Sequence, residues 1–240
     1  MSSSRHGYAS RAGRVVRTGD VPVSVAFAFE DERWLAPGQH EGGLAHVFDE
    51  APDPAPLLVW LHGTNEGGPL HRGLGAPGFD LRTFVPRTMI VAAPSQTRDA
   101  ASGSRLWIGF DLTAFVSAVE GATGRAVDRA RVIVAGHSGA ACSAAGGLLA
   151  PLGAVVPSAV IAIDGCLDAR FGALFGALGE RTAVHVFHQT RTWPRDPRAF
   201  AQAFAGRGSF VELTVVGDSP HEDIVPLALE RVLSGDRAGA

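Results

Sequence analysis

Gly136-His137-Ser138-Gly139-Ala140 places a serine between an apolar run, Val132-Ile133-Val134-Ala135, and a stretch of small residues of helical character that begins at Gly139. A strand that turns at once into a helix reverses within one or two residues, so its neighbours must be small. Gly136 and Ala140 stand where bulk is least tolerated. A serine held there lifts its hydroxyl above the sheet, beside backbone N–H groups that can receive a developing oxyanion. The same five residues also read as a helix start that Ser138 merely caps. The strand before and the small residues throughout favour a nucleophile.

A serine hydroxyl needs a base to take its proton. Of nine histidines, His221 has the right placement, just past the last apolar run and just before an amphipathic segment. His6, His40, His46, His71, His185 and His188 have no such placement. His185 and His188 are three apart on one strand, so they point to opposite faces and make a poor metal pair. His137, beside the serine, leaves the turn in another direction. Two carboxylates could orient the base. Asp164 ends the apolar run in "AVIAID", where a carboxylate is costly unless partnered. Asp196 precedes Pro197 and reads as a helix N-cap. Asp164 is preferred; Asp196 is the alternative. Asp168 reads as a cap for the segment after it.

The elements that must position these groups are legible as periodicity. Short apolar runs at 57–61, 88–92, 131–135, 159–163, 183–187 and 210–216 read as strands covered on both faces. Helical patterns lie between and after them at 112–119, 140–149, 169–178, 197–205 and 223–233. This alternation predicts a mostly parallel sheet with helices on both faces. "VPVSVAFAF" and "GLAHVF", before residue 50, alternate as antiparallel strands do and predict a mixed edge.

Gly136 to Ala140 resembles the G-x-S-x-G nucleophile elbow of the α/β-hydrolase superfamily, with alanine for the last glycine. The resemblance covers about residues 55 to 233 and follows that superfamily's order of serine, acid, histidine. It implies an α/β-hydrolase fold without a cap domain, because only about twenty residues separate the Asp164 strand from the next. "PLLVWLHGTNEGG" resembles the HG loop after that superfamily's third strand. The resemblance therefore implies an oxyanion site built from the N–H groups of Gly139 and of Thr64 or Asn65, with His62 holding the loop rather than acting as base. The superfamily's usual acid follows the strand at 183–187, where Asp196 is the only carboxylate; some members carry it at the position of Asp164. The implied activity is carboxylic ester hydrolysis on a small acyl substrate, with no metal or organic cofactor. Peptide or amide cleavage, and an inactive fold used for binding, are the alternatives. Trp107, Phe110 and Trp193 are candidate substrate contacts.

Composition narrows the rest. The 240 residues read as a single domain, with 1–20 and 234–240 as loose termini. All 21 basic residues are arginine, which excludes lysine Schiff bases and a P-loop. "GLGAPG" at 73–78 matches a dinucleotide fingerprint only formally, because it lies past its strand and opens no helix. A net charge of −3 suggests no nucleic-acid partner, and no apolar run is long enough to span a membrane. No apolar segment follows the charged start, so no secretory signal is expected and the expected location is cytoplasmic. Cytosolic thiols stay reduced, which favours free Cys142 and Cys166 over a single bridge between them.

Overall fold

The computed structural model describes residues 23–64, 74–76, 79–98, 105–150, 154–189, 196–205 and 208–234. The expected loose terminus 1–20, and all but Ser234 of the one at 234–240, lie outside them. In chain order the elements are β1 (Val23–Phe27), α1 (Asp31–Trp34), β2 (Gly43–Val47), β3 (Ala55–Leu61), β4 (Gly75–Ala76), β5 (Phe79–Asp80), β6 (Ile90–Pro94), α2 (Leu112–Thr123), β7 (Val127–His137), β8 (Ala159–Ile163), α3 (Ala169–Gly179), β9 (Ala183–His188), α4 (Pro197–Ala203), β10 (Gly208–Glu212) and α5 (Pro220–Leu233). Eight strands form one sheet in the order β1-β2-β6-β3-β7-β8-β9-β10. From β6 to β10 neighbours run parallel, and β2 pairs antiparallel with β1 and β6, which is the expected mixed edge.

The apolar runs are continuous because both faces are covered. Along β3, Leu57, Val59 and Leu61 join a core with Phe115 and Val119 of α2 and Phe171 and Phe175 of α3. Leu58 and Trp60 point the other way, into a core with Ile224, Val225 and Leu229 of α5. Each such side chain contributes roughly 1.5–3 kcal/mol on burial. Asp111, Asp168 and Asp196 cap α2, α3 and α4, each accepting a backbone N–H.

Several expected elements change, α2 running on to Thr123 and α5 starting at Pro220 among them. β10 stops at Glu212 rather than 216, because it is an edge strand and its last pair, Glu212 with His188, reaches the end of β9. β7 starts at Val127, where it pairs with Ala55 of β3. The expected helix at 140–149 does not form; 3₁₀ turns at Ser138–Ala141 and Gly147–Leu149 stand there instead. Gly147 has φ +55 and donates its N–H to the Trp107 carbonyl at 3.0 Å, and Gly146 bridges Ile108. These bonds to the 105–110 segment replace the helix's own ladder.

His46 of β2 is 3% exposed, with Nδ1 2.9 Å from Ser24 Oγ and Nε2 buried without a partner among the described residues. Burial, helped by the Arg82 and Arg87 cations and opposed by Asp80, pushes its pKa down to about 4. Between about pH 6.5 and 4 the unfolded chain binds a proton that the folded chain refuses, so stability falls as pH falls through that window. The loss should reach on the order of 3 kcal/mol. Melts at pH 7 and pH 4.5 should therefore differ more for the wild type than for His46→Leu. Parallel shifts in the two proteins would rule out His46 as the source.

Candidate active site

β7 ends on His137, level with Ile163 of β8, and Ser138 follows with φ +54. A left-handed non-glycine residue costs about 1–2 kcal/mol, so its surroundings must impose it. They do so by close approach. A Cβ on Gly136 would meet the Leu148 side chain at 2.9 Å and Ala140 Cβ at 3.2 Å, and one on Gly139 would enter Thr64 and Leu106. Ser138 is half-buried within a run, Val132 to Ala141, that is otherwise buried. The long helix whose N-terminus was expected here is absent, and a four-residue 3₁₀ turn, Ser138–Ala141, stands in its place.

Asp164 directly follows β8 and shares the left-handed conformation, φ +50. Its carboxylate is fully buried, and Oδ2 accepts from His221 Nδ1 at 2.5 Å and from Gln189 Nε2 at 2.9 Å. With Nδ1 donating, Nε2 is the nitrogen of His221 that can accept a proton. His221 lies in the first turn of α5 rather than in the loop before it. The structure thus brings Asp164 and His221 together. Asp196 is exposed and its side chain accepts from Ala199 N at 2.8 Å, so it serves as the cap of α4.

One neighbour was set aside in the sequence reading and another escaped it. His137 is fully buried; its Nε2 donates to the His221 carbonyl at 2.8 Å, and the two rings lie 4.3 Å apart. Gln189 sits one residue past β9, where a carboxylate was sought. Nothing in the sequence distinguishes it, because an amide carries no charge signature.

The loop after β3 is held by a closed set of bonds. His62 Nδ1 donates to the Gly63 carbonyl at 2.9 Å and Nε2 accepts the Gln96 N–H at 3.1 Å. Gln96 Oε1 accepts the Trp107 N–H at 2.7 Å, and Trp107 Nε1 donates to the His62 carbonyl at 3.0 Å. Both ring nitrogens of His62 are thereby occupied, as a structural rather than proton-transferring histidine requires. Thr64 packs on Gly139. Asn65 and Trp193 lie outside the described residues. Trp107 is fully buried and Phe110 is 4% exposed, so the suggested substrate contacts at these positions belong to the core. A cavity of about 420 Å³, lined by Ser158, His185, Ser209 and Arg231 among others, opens at the N-terminal ends of β8, β9 and β10, away from Ser138.

No family model and no curated protein matches the chain. Solved structures do. The esterase domain of a Rhodothermus marinus protein superposes with a TM-score of 0.55 at 15% identity, covering 90% of this chain and 97% of that one. Only α3 separates β8 from β9, so the described residues carry no cap domain there. The chain has the α/β-hydrolase fold. Mycobacterium tuberculosis MPT51 is similar too, with a TM-score of 0.53 at 16% identity over 86% of this chain and 96% of that one. Within this α/β-hydrolase fold, Ser138 and Asp164 leave the C-terminal ends of adjacent strands, where open parallel sheets place their ligands.

His62→Ala should remove the acceptor of a buried N–H and open the loop's network, at about 1–3 kcal/mol. For a chain of this size that lowers Tm by roughly 2–12 °C. An unchanged melt would mean that Gln96 and Trp107 hold the loop without it.

Proposed function

We propose that the protein is a serine hydrolase that cleaves carboxylic esters through an acyl-enzyme on Ser138. The observation that carries this reading is the 2.5 Å contact between His221 Nδ1 and the buried Asp164, formed beside the strained serine turn. His221 takes the Ser138 proton on Nε2 as Oγ attacks the acyl carbon, then returns it to the departing alcohol. Water repeats the sequence on the acyl-enzyme. Asp164 holds the imidazole in the tautomer that presents Nε2 and stabilises its charge once protonated. The N–H groups of Gly139 and of Thr64 or Asn65 receive the tetrahedral oxyanion. The residues of this mechanism supply every proton transfer themselves. An ester suits the site because its alcohol leaves more readily than an amine, and the similar Rhodothermus marinus structure is named an esterase domain.

Among the described residues no helix is long and apolar enough to cross a membrane. Cys142 and Cys166 are joined in a disulfide, against the expectation of free thiols. That bond favours an oxidising compartment over the cytoplasm.

A fluorophosphonate probe should label the protein at Ser138, and Ser138→Ala should lose about 10⁴-fold or more in kcat while keeping its melt. Ester turnover near the wild-type rate in Ser138→Ala would end this reading.

The acid is tested separately by comparing kcat/KM on one activated ester and one matched amide. Asp164→Asn should lose ~10³-fold or more, since asparagine keeps the shape but neither the charge nor the tautomer control. Asp196→Asn should stay near wild type, because asparagine caps a helix about as well as aspartate. The reverse ranking would assign the acid to Asp196.

A further inference from the structure

We propose that the Cys142–Cys166 disulfide is a positioning element of this site, so that full activity requires the oxidised pair. The proposal rests on the reading of Ser138, Asp164 and His221 given above. Cys142 closes the 3₁₀ turn that Ser138 opens, and Cys166 stands two residues beyond Asp164. The bond therefore joins the turn that carries the nucleophile to the turn that carries the acid.

The need for such a link follows from the side chains available. From Ser138 to Gly147 the chain reads Ser-Gly-Ala-Ala-Cys-Ser-Ala-Ala-Gly-Gly, with nothing larger than cysteine. Residues of this size bury little apolar surface, so packing anchors the segment weakly. No α-helix follows the serine to hold it from behind; the segment leaves its 3₁₀ turn and runs to the 105–110 segment. On the other side, Asp164-Gly165-Cys166 is equally sparse, and Gly165 lies against Ala141, where a Cβ would collide. The ladder between β7 and β8 ends at the pair His137 and Ile163, one residue before both strained positions. Ser138 and Asp164 hold left-handed conformations that a loosely tied turn would relax. The covalent bond supplies at this point what large side chains supply elsewhere. Both cysteines are half-buried, so a small dithiol can reach the bond. The reagent gives two electrons and two protons, leaves Cys142 and Cys166 as thiols, and is itself oxidised to a cyclic disulfide.

The experiment compares oxidised wild type with Cys142→Ser/Cys166→Ser on one activated ester, with melts for each. Val119→Ala, in α2 away from the site, controls for lost stability alone. The double variant should lose about 10–100-fold in kcat, as small displacements of reacting groups do, with KM within about twofold. Val119→Ala should keep its kcat despite a lower Tm. Dithiol treatment should bring wild type to the double variant's rate, reoxidation should restore it, and the double variant should not respond. A kcat within about twofold of wild type, whatever the melt, would overturn the proposal. If the double variant does not fold, the dithiol titration decides on wild type held below its melting temperature and followed by circular dichroism. Activity lost with the fold intact supports the link, and full activity with two titrated thiols refutes it. Fluorophosphonate labelling separates the two readings. Ser138 labelled with kcat insensitive to reduction defeats this proposal alone, whereas turnover without labelling at Ser138 defeats the serine mechanism beneath it.

Discussion

The carboxylate of Asp164 is the constraint around which the rest of the site is arranged. It is fully buried at the end of a central strand, where an unpartnered charge costs several kcal/mol. Two side chains reach it from different parts of the chain, Gln189 from the end of β9 and His221 from the first turn of α5. The backbone N–H of Asp164 is tied to the Phe187 carbonyl of β9 at 2.8 Å. Satisfying the charge therefore fixes where α5 begins, because His221 must meet Oδ2 while Ile224, Val225 and Leu229 reach the core beneath. A device for holding a charge and a device for docking a helix are the same contact.

His137 extends that arrangement to the strand that leads into Ser138. Its ring lies between Trp60 and His221 and its Nε2 is bonded to the His221 backbone. The residue before the serine thus supports the main chain of the proposed base. Around it, bulk is removed wherever backbones converge: at Gly136 beneath Leu148, at Gly139 beside Thr64, and at Gly165 against Ala141. Small residues permit these approaches and anchor them weakly. The disulfide joins two such sparse turns, those that follow Ser138 and Asp164.

Much of this was legible from periodicity and chemical type. Continuous apolar runs marked β3, β7, β8 and β9 because both faces of those strands are buried, and the alternating stretch before residue 50 marked the antiparallel edge. Asp164 stood out because an acid ending such a run has no local excuse, whereas Asp196 had one in the helix it caps. The segment after Ser138 misled, because alanine and glycine carry no period. Its small residues suit a helix as well as the pair of 3₁₀ turns that form there, the second tied by Gly147 to the Trp107 carbonyl.

The sequence by itself determined the class of fold, the order of Ser138, Asp164 and His221 along the chain, and that Asp196 has a helix to cap while Asp164 has none. These depend on neighbours within a few residues or on a repeating period, and both are written in the chain. Only the tertiary structure decided that Gln189 meets Asp164 and His137 meets His221, that Trp107 and Phe110 belong to the core, and that Cys142 meets Cys166. Each of those rests on two segments far apart in sequence arriving at one place. Such meetings are set by the packing of the whole sheet and its helices, and no local pattern records them.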